Sequence, residues 1–223
     1  MVQQARARVT RDKIMQGAAE VIREVGYANA SLGQISEAAG VTKGALYFHF
    51  NSKEEIARAL IDEQHRITRE AAKKIMSHDA SAIEHMVQLT ADLAGRLVGD
   101  PIVRAGIRLT TDSSTFDSPI AGPYQDWMET FEQLAMRAQH QGETNGVIAP
   151  DLLARFIIPA FTGVQLVSEA FTGRRDLPER VHEMWKILIA AVVAEDRQEH
   201  VLGMIEATFS RLERDTRRRQ SEA

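Results

Sequence analysis

Residues 42–50 are the segment whose residue types are best suited to contacting a double-stranded nucleic acid. The segment reads Thr-Lys-Gly-Ala-Leu-Tyr-Phe-His-Phe, and a helix that served only as core would not mix charges and rings in this way. A short helical pattern over residues 32–39 precedes it and stops at Gly40. A helix, a glycine-containing turn and a second short helix make the helix-turn-helix arrangement, whose second helix enters the DNA major groove.

Several side chains of this second helix, which we call the reading helix, have distinct predicted roles. Lys43 lies in its first turn, where an ammonium can donate to O6 and N7 of guanine; a solvated surface lysine is the alternative. Gly44 lets the backbone approach a phosphate closely. Tyr47 and His49 offer a hydroxyl and an imidazole to phosphates, contacts that position the protein on DNA without selecting a sequence. Phe48 is suited to contact a thymine methyl or a sugar.

Residues around the reading helix extend the predicted DNA surface. Lys53 begins the next helix, where backbone amides and positive charge together suit a phosphate. Thr42 and Ser31 can act in the same way, although Ser31 is equally suited to pure helix capping. The N-terminal arginines form either an arm that reaches the DNA or a disordered, solvated terminus: Arg6, Arg8 and Arg11.

Capping patterns define the elements that must position these residues. Helical spacing over residues 10–25 ends at Gly26, in the place of a left-handed cap. Ser31 makes a capping box with the glutamine three residues later, and Thr42 can cap the reading helix. We assign Leu46 and Phe50 to the core of this N-terminal DNA-binding region.

The rest of the chain has helical periodicity almost throughout. About ten helices account for its 223 residues, and no alternating apolar pattern is long enough to indicate a sheet. The sequence therefore predicts an all-α protein. Its predicted parts are a helix-turn-helix DNA-binding domain over residues 1–53 and a larger helical ligand-binding and dimerisation domain over residues 54–223.

Charge is distributed unevenly between these two parts. Residues 1–53 hold seven basic and four acidic residues, a net charge of +3, which leaves −7 for the remainder of a chain whose net charge is −4. A basic end on an acidic body suits a DNA-reading head joined to a part that avoids DNA. Chance fluctuation over a short window is the alternative explanation.

Several function classes lack their signatures. The absence of cysteine excludes disulfides and thiolate metal sites, and the seven histidines show no His-Glu-x-x-His spacing. We find no glycine-rich phosphate loop and no Gly-x-Ser-x-Gly elbow, so we expect no catalysis, metal or cofactor. The longest apolar stretch noted, residues 187–194, is shorter than a membrane span, which favours a soluble, cytoplasmic protein without a membrane partner.

The order of three short helices and the residues along them resemble the tetracycline-repressor-type (TetR) transcriptional regulators. Within that family, residues 42–50 look most like the actinomycete γ-butyrolactone autoregulator receptors. Residues 101–109, 123–127 and 161–165 support the narrower resemblance, because they lie in the part of the chain where the family diverges most. The positions that carry the broader resemblance are Gly26-Tyr27, Ser31-Leu32, Ile35, Ala39-Gly40-Val41, Lys43-Gly44, Leu46-Tyr47-Phe48-His49-Phe50 and Ser52-Lys53-Glu54.

This resemblance implies a homodimeric repressor that leaves a pseudo-palindromic operator when a small γ-butyrolactone or butenolide binds. Its expected targets are genes of secondary metabolism or antibiotic production. The alternatives are a TetR-type repressor that senses a different metabolite or drug, and a related regulator without the hormone response. A helical dimer that does not bind DNA would leave Lys43, Gly44 and Tyr47 unexplained. The resemblance also places Ala45 on the DNA surface.

The predicted effector pocket needs apolar walls and a few polar groups that orient the ligand. Trp127 is the best wall residue, because indole offers a large flat face and one donor. Gln64, Thr90 and Thr162 interrupt apolar surroundings, although the threonines can bond back to their own helices and Gln64 can reach solvent. The remaining residues assigned to this pocket are Leu89, Phe131, Phe161 and Gln165.

The last two long helices are the predicted dimer surface. Residues 178–194 are apolar nearly all round the helix, and this is more apolar surface than one buried face requires. Residues 198–214 carry an apolar stripe at Val201 and Ile205. A wholly intramolecular core is the alternative.

The fourth helix begins at Lys53 and runs past Gln64, so a ligand beside Gln64 and Trp127 is expected to tilt it and move the two heads.

Overall fold

The computed structural model of the protein describes residues 2–111, 116 and 120–221, with side chains between residues 4 and 214. These residues form no β-strand, only an isolated bridge between Thr144 and Val193. The predicted all-α fold is confirmed. The helices within the described residues are α1 Val2–Asn29, α2 Leu32–Ala38, α3 Lys43–His49, α4 Lys53–Met76, α5 Ala82–Gly99, α6 Pro101–Thr111, α7 Gly122–His140, α8 Pro150–Thr172, α9 Leu177–Val192 and α10 Glu195–Ser221.

The chain divides into two compact units, which we call the head unit and the body unit. The head unit comprises Met1–Arg69 and Asp100–Ile120, and the body unit comprises Glu70–Gly99 and Ala121–Ala223. The predicted boundary at residue 53 therefore falls inside the head unit. Its core is completed by buried residues of α4 and α6, which a purely local reading of the first three helices does not include: Ile56, Ala57, Leu60, Ile61, Ile102, Ala105 and Leu109.

Close approach of α6 to α4 within the head unit requires a glycine. A Cβ at Gly106 would overlap the Cβ of Gln64 and lie 2.9 Å from the Leu60 carbonyl oxygen. Any larger side chain would push the two helices apart, because the backbone oxygen cannot move aside.

The first helix differs from the prediction at both ends. It begins at Val2, not near residue 10, so Arg6, Arg8 and Arg11 lie on a helix instead of forming an arm or a disordered terminus. At its other end Gly26 has φ 78° and ψ 163°. This is not the predicted left-handed cap but an extended conformation with positive φ, which is essentially restricted to glycine. The interruption redirects the chain towards Ala30, which is buried.

The predicted caps of α2 and α3 are confirmed. The Ser31 hydroxyl accepts from the Gln34 amide at 3.2 Å, and the Gln34 side chain accepts from the Ser31 amide at 2.9 Å. Thr42 accepts from the Ala45 amide at 3.1 Å. Each cap satisfies a backbone donor that a helix leaves unpaired at its start, typically worth about 1 kcal/mol. Short helices such as α2 and α3 depend on these caps, because seven residues make few internal hydrogen bonds.

The body unit buries one apolar side of α5, α7, α8, α9 and α10. At its centre the Trp185 indole donates to the Thr90 hydroxyl at 2.7 Å, which pairs the polar atom of a side chain that is 1% exposed. The α10 stripe at Val201, Ile205 and Phe209 is buried within this same unit. The prediction that α10 supplies a dimer surface is therefore wrong for this stripe, which packs within its own chain.

Among the described residues, one helix is apolar enough by length and composition to cross a membrane, contrary to the expectation of none. It is Pro150–Thr172, of which 33% of the most apolar window is buried. The core helices of soluble proteins pass the same test. This one does so because it is apolar on two sides. Leu153 and Ile157 are buried, whereas Leu152 and Phe156 are exposed.

Asp176 fixes the turn between α8 and α9. Its carboxylate accepts from the hydroxyls of Ser168 at 2.5 Å and Thr172 at 2.6 Å, and from Nε of Arg180 at 2.6 Å. Burial by itself raises the pKa of Asp176, but these three hydrogen bonds and the Arg180 charge outweigh it and lower the pKa from 3.8 to about 2. The folded protein therefore favours the charged form.

We expect Asp176→Asn to lower the free energy of unfolding at pH 7 by up to about 2 kcal/mol, the equivalent of that pKa shift. Because the folded pKa is depressed, the stabilisation is present above about pH 4 and is lost as the pH falls towards 2. Urea titrations at pH 7 and pH 3 measure it, with Asp62→Asn, an exposed position on α4, as the control. A variant defect of equal size at both pH values would contradict this electrostatic origin.

Candidate nucleic-acid interface and effector site

Helix α3 exposes the side chains that the sequence assigned to DNA. Lys43 and Gly44 are exposed, Tyr47 is 53% exposed and Phe48 is 80% exposed. Ala45 and His49 are half-buried, and the His49 ring lies edge-on to Phe48 with centroids 5.1 Å apart. Aromatic rings at such exposure are unusual on a protein surface unless a partner covers them. One face of α3 thus combines a cation, a hydroxyl and an apolar ring.

The opposite face of α3 anchors it in the head unit. Leu46 is 1% exposed and Phe50 is 2% exposed, which confirms their assignment to the core. The Arg11 guanidinium lies 5.3 Å from the centroid of the Phe50 ring. Buried anchors on both sides of Tyr47 and Phe48 hold the exposed face in a fixed orientation, as recognition of base edges requires.

The two cap hydroxyls differ in what they leave available for DNA. Ser31 donates its proton to the Gln34 side chain at 2.8 Å while accepting from the Gln34 amide. Its only proton is therefore used in capping. Thr42 only accepts, from the Ala45 amide, and its proton has no acceptor among the described residues. Of the two hydroxyls, that of Thr42 is therefore better suited to donate a hydrogen bond to a phosphate.

Lys53 is held inside the head unit. Its ammonium donates to the carbonyl oxygens of Tyr27 at 2.8 Å and Ala28 at 3.1 Å, and lies 4.6 Å from the Tyr27 ring centroid. These contacts tie the start of α4 to the end of α1. A phosphate contact by Lys53 would have to use its third donor or displace one of these carbonyls.

The N-terminal arginines partly face the protein itself. The pKa of Glu63 is lowered by a hydrogen bond from Arg66 and by the charges of Arg66, Arg11 and Arg8, against the effect of its own burial. Arg6 and Arg11 are both exposed, but Arg11 also lies over the Phe50 ring. Arg6 therefore has fewer internal contacts than Arg11.

The body unit buries most of the residues assigned to the effector pocket. Phe131, Phe161 and Leu89 are 1%, 7% and 5% exposed. Trp127 is half-buried on α7, and its ring centroid is 6.4 Å from that of Phe131. Helices α7 and α8, which carry the three aromatic residues, pack against each other. These side chains are apolar and mostly buried, and their assignment to an effector pocket stays a prediction.

Two threonines assigned to the pocket bond back to their own helices, the alternative left open by the sequence. Thr90 lies within reach of the Val87 carbonyl at 2.9 Å and also accepts from Trp185. Thr162 donates to the Ile158 carbonyl at 2.9 Å. Each hydroxyl has only one proton, so neither threonine offers a further donor without breaking these bonds.

The two assigned glutamines behave differently from the threonines. Gln64 and Gln165 are each 1% exposed, and each has one polar atom without a partner among the described residues. In Gln64, within the head unit, the unpaired atom is the carbonyl Oε1, because Nε2 lies 3.4 Å from the Thr68 hydroxyl. In Gln165, within the body unit, it is the nitrogen Nε2. Buried polar atoms without partners are uncommon and mark candidate ligand contacts.

Sequence reasoning missed Arg174, which is 2% exposed and donates to Gln165. An arginine directly after the helix-ending glycine is normally a solvated residue, so composition gave no signal. Its position beyond Gly173, nine residues after Gln165, was the only available hint.

Exposed apolar residues occur on both α8 and α9, two helices that pack against each other, and together we call them the apolar surface. On α8 most members are separated by three, four or seven residues, which places them on one side of the helix, away from the buried stripe. On α9 Ile187 is 73% exposed, and Ala190 and Ala191 are also exposed. The α8 members are Leu152, Phe156, Pro159, Leu166, Val167 and Phe171.

Comparison with known proteins identifies two regions of the chain. The family model "Bacterial regulatory proteins, tetR family" matches residues 14–60. The model "Tetracyclin repressor-like, C-terminal domain" matches residues 80–194, about half of the chain. Both matches describe regulators, not enzymes. The first one spans α2 and α3, and the second spans the helices that carry the candidate pocket and the apolar surface.

Individual relatives narrow the assignment. The A-factor receptor protein of Streptomyces griseus is 37% identical over 86% of this chain and 67% of its own length. A crystal structure of a γ-butyrolactone receptor (ArpA-like protein) aligns with TM-score 0.81 and 32% identity, covering 92% of this chain and 99% of that one. CprB from Streptomyces coelicolor, in complex with its biological operator sequence, aligns with TM-score 0.79, 32% identity and the same coverage. The chain therefore belongs to the TetR family of DNA-binding transcriptional regulators and is related to the γ-butyrolactone receptors.

Proposed function

We propose that this protein is a homodimeric, cytoplasmic repressor that leaves a pseudo-palindromic operator when a γ-butyrolactone or butenolide binds to it. Genes of secondary metabolism or antibiotic production are the proposed targets. The observation that carries the proposal is the face of α3, where Lys43, Tyr47 and Phe48 are exposed on a helix whose other face is anchored in the core.

DNA recognition is proposed to combine base and phosphate contacts. Lys43 reads guanine in the major groove, and Phe48 contacts a thymine methyl or a sugar. The hydroxyls of Tyr47 and Thr42 and the exposed backbone at Gly44 contact phosphates. Arg11 and Lys53 also interact with the internal partners described above, so a contact with DNA would compete with those interactions. The remaining proposed contacts are made by Arg6, Arg11, Ser31, Ala45, His49 and Lys53.

Dimerisation is proposed to use the exposed apolar surface of α8 and α9, with a second copy of this chain as its occupant. Several large apolar residues on one face of α8 exceed what a monomeric surface usually carries. A two-fold axis matches such a surface with itself, and it also matches the symmetry of a palindromic operator. The structural relative CprB was solved with its biological operator sequence, which supports operator binding by this chain.

The effector is proposed to bind among the aromatic residues of the body unit. Trp127, Phe131 and Phe161 supply apolar contact area, and Gln165 supplies a polar contact; Leu89, Thr90 and Thr162 complete the proposed pocket. The relationship to γ-butyrolactone receptors supports a lactone ring as the polar part of the ligand. Gln64 remains a proposed effector-sensing residue because its buried carbonyl has no partner among the described residues.

Coupling between effector and DNA is proposed to pass through α4. This helix begins beside α3 at Lys53, includes Gln64, and extends to Met76 in the body unit. A ligand that shifts α4 changes the separation of the two heads, and thus their fit to successive major grooves. Operator and effector then oppose each other's binding by the same factor.

We expect an alkyl-substituted lactone, γ-decalactone, to bind the free dimer about 5- to 150-fold more tightly than the dimer saturated with operator. Isothermal titration with and without a duplex selected from a random pool measures both affinities. Equal lactone affinities in the two titrations would contradict the coupling.

The alternative function is a TetR-type repressor that senses a different metabolite or drug, or one that has lost the hormone response. The half-buried aromatic wall at Trp127 and Phe131 also suits other apolar molecules. Such a protein would bind the selected duplex as a dimer but show no change in duplex affinity with any butyrolactone or butenolide tested.

A further inference from the structure

Gln165 carries a buried hydrogen-bond donor without a partner. It lies on the side of α8 that faces the interior of the body unit, since Phe161 four residues before it and Ser168 three residues after it are also buried. Its Oε1 accepts from Nη2 of Arg174 at 2.7 Å, whereas its Nε2 has no partner among the described residues. An amide nitrogen left buried and unpaired is unfavourable unless a further molecule pairs with it.

Arg174 determines which end of the amide is left unpaired. A guanidinium has only donors, so the atom that faces it must be the amide oxygen. The nitrogen then points the other way. A glutamine is normally ambiguous because its oxygen and nitrogen can exchange places, but the neighbouring arginine removes that ambiguity here.

Arg174 is itself firmly held. Its backbone has a φ of 69°, in the left-handed region that few residues with side chains adopt. Its amide donates to the Ser168 carbonyl at 3.2 Å, and its Nε lies 3.2 Å from a carboxylate oxygen of Glu169. A conformation of this kind persists only where the surroundings determine it, and it occurs preferentially at functional sites. The guanidinium therefore offers Gln165 a fixed partner.

We propose that Gln165 Nε2 is a donor reserved for a carbonyl oxygen of the bound effector, and that Arg174 is the residue that positions it. This inference rests on the proposed effector site in the body unit and adds a specificity rule to it. The site selects molecules with a carbonyl, because a ligand without one leaves the donor buried and unpaired.

A matched pair of probes tests this rule on the full-length protein. γ-Decalactone and 2-hexyltetrahydrofuran share their ring size and chain, but only the lactone has a carbonyl. We expect the wild-type protein to bind γ-decalactone about tenfold or more tightly than the ether, as measured by quenching of tryptophan fluorescence. Equal affinities would overturn the inference.

Replacing Gln165 by glutamate separates recognition from structure. In Gln165→Glu both oxygens accept, so the pairing with Arg174 is kept while the donor is lost. We expect the preference for the lactone over the ether to disappear, with the melting temperature unchanged or raised. Gln139→Glu, which adds the same charge on the exposed side of α7, should retain the preference. A Gln165→Glu protein that kept the preference would contradict the proposal.

The positioning role of Arg174 has its own test. Arg174→Met should abolish the preference for the lactone while leaving the affinity for the ether unchanged, and Arg174→Lys should partly restore it because an ammonium can still donate to Oε1. A purely structural role would weaken the binding of both probes equally, and that result would count against the assignment.

Ligand-free spectra separate this inference from the lactone proposal. If the wild-type protein binds neither probe, the lactone proposal fails, and the side-chain amide signals of Gln165 in a ¹⁵N–¹H spectrum decide the orientation alone. They are identified by their loss in Gln165→Glu. Proton shifts typical of an amide without an acceptor support an unpaired Nε2. Shifts typical of a strong hydrogen bond in the ligand-free protein would overturn the inference.

Discussion

The double substitution Phe156→Glu with Ile187→Glu is expected to convert the protein from a dimer to a monomer and to weaken operator binding about 10²- to 10⁴-fold. Both side chains are large, apolar and more than half exposed in a single chain, and they lie on α8 and α9. Burying four carboxylates in a two-fold interface would cost far more than the contacts there return. The heads remain folded, because neither residue belongs to the head unit.

Light scattering after size exclusion gives the mass, and fluorescence anisotropy with a selected duplex gives the affinity. The matched control is Met136→Glu with Val147→Glu, which introduces the same charges at apolar residues that are 56% and 81% exposed on other parts of the body unit. We expect the control to remain dimeric with unchanged affinity. A dimeric Phe156→Glu/Ile187→Glu protein would show that the apolar surface of α8 and α9 is not the interface.

Lys43→Ala is expected to weaken binding to the selected operator by about 30-fold or more. A lysine that donates to guanine contributes about 1–3 kcal/mol, and a dimer loses one such contact at each half-site. The fold should be unaffected, because Lys43 is exposed and the cap of α3 is made by Thr42. Lys74→Ala, at an exposed position in the last turn of α4, is the control.

Modified DNA distinguishes a base contact from a phosphate contact for Lys43. Duplexes in which one guanine is replaced by 7-deazaguanine lack the N7 acceptor, so at the contacted position the wild-type protein should lose affinity and Lys43→Ala should not. If Lys43→Ala instead weakens binding equally on all sequences and lowers the salt dependence, the lysine contacts a phosphate and the proposed base contact is wrong.

Local signals in the sequence predicted the DNA-binding elements well. The caps at Ser31 and Thr42 and the core positions Leu46 and Phe50 depend on interactions within a few residues, so their patterns are visible without a structure. Gly26 was also recognisable in the sequence as the point where the helix is interrupted. The sequence did not show which backbone conformation Gly26 adopts there.

Contacts between distant residues account for the predictions that differ from the structure. The head unit extends past residue 53 because α6, which is distant from α1 in the sequence, packs against α1. Arg11 was placed in an arm because the sequence does not show that Phe50 and Glu63 lie beside it. The apolar stripe of α10 looked available for a dimer for the same reason. A stripe does not reveal whether its partner lies in the same chain or in another copy.

The effector site shows a related limit. Aromatic residues at Trp127, Phe131 and Phe161 could be selected from the sequence by type and spacing. Whether a glutamine or threonine has an unpaired polar atom depends on its neighbours in space. Thr90 is paired with Trp185 across 95 positions, whereas Gln165 is oriented by Arg174. Only the structure distinguishes these two cases.

The number of chains bound per operator is the most direct test of the account. Analytical ultracentrifugation of the full-length protein with a fluorescent duplex, selected from a random pool at low salt, gives this stoichiometry. We predict an even number of chains on every duplex, a palindromic consensus in the selected pool, and half-sites whose centres lie a whole number of helical turns apart. A single chain per duplex, or a selected pool without a palindrome, would contradict the account.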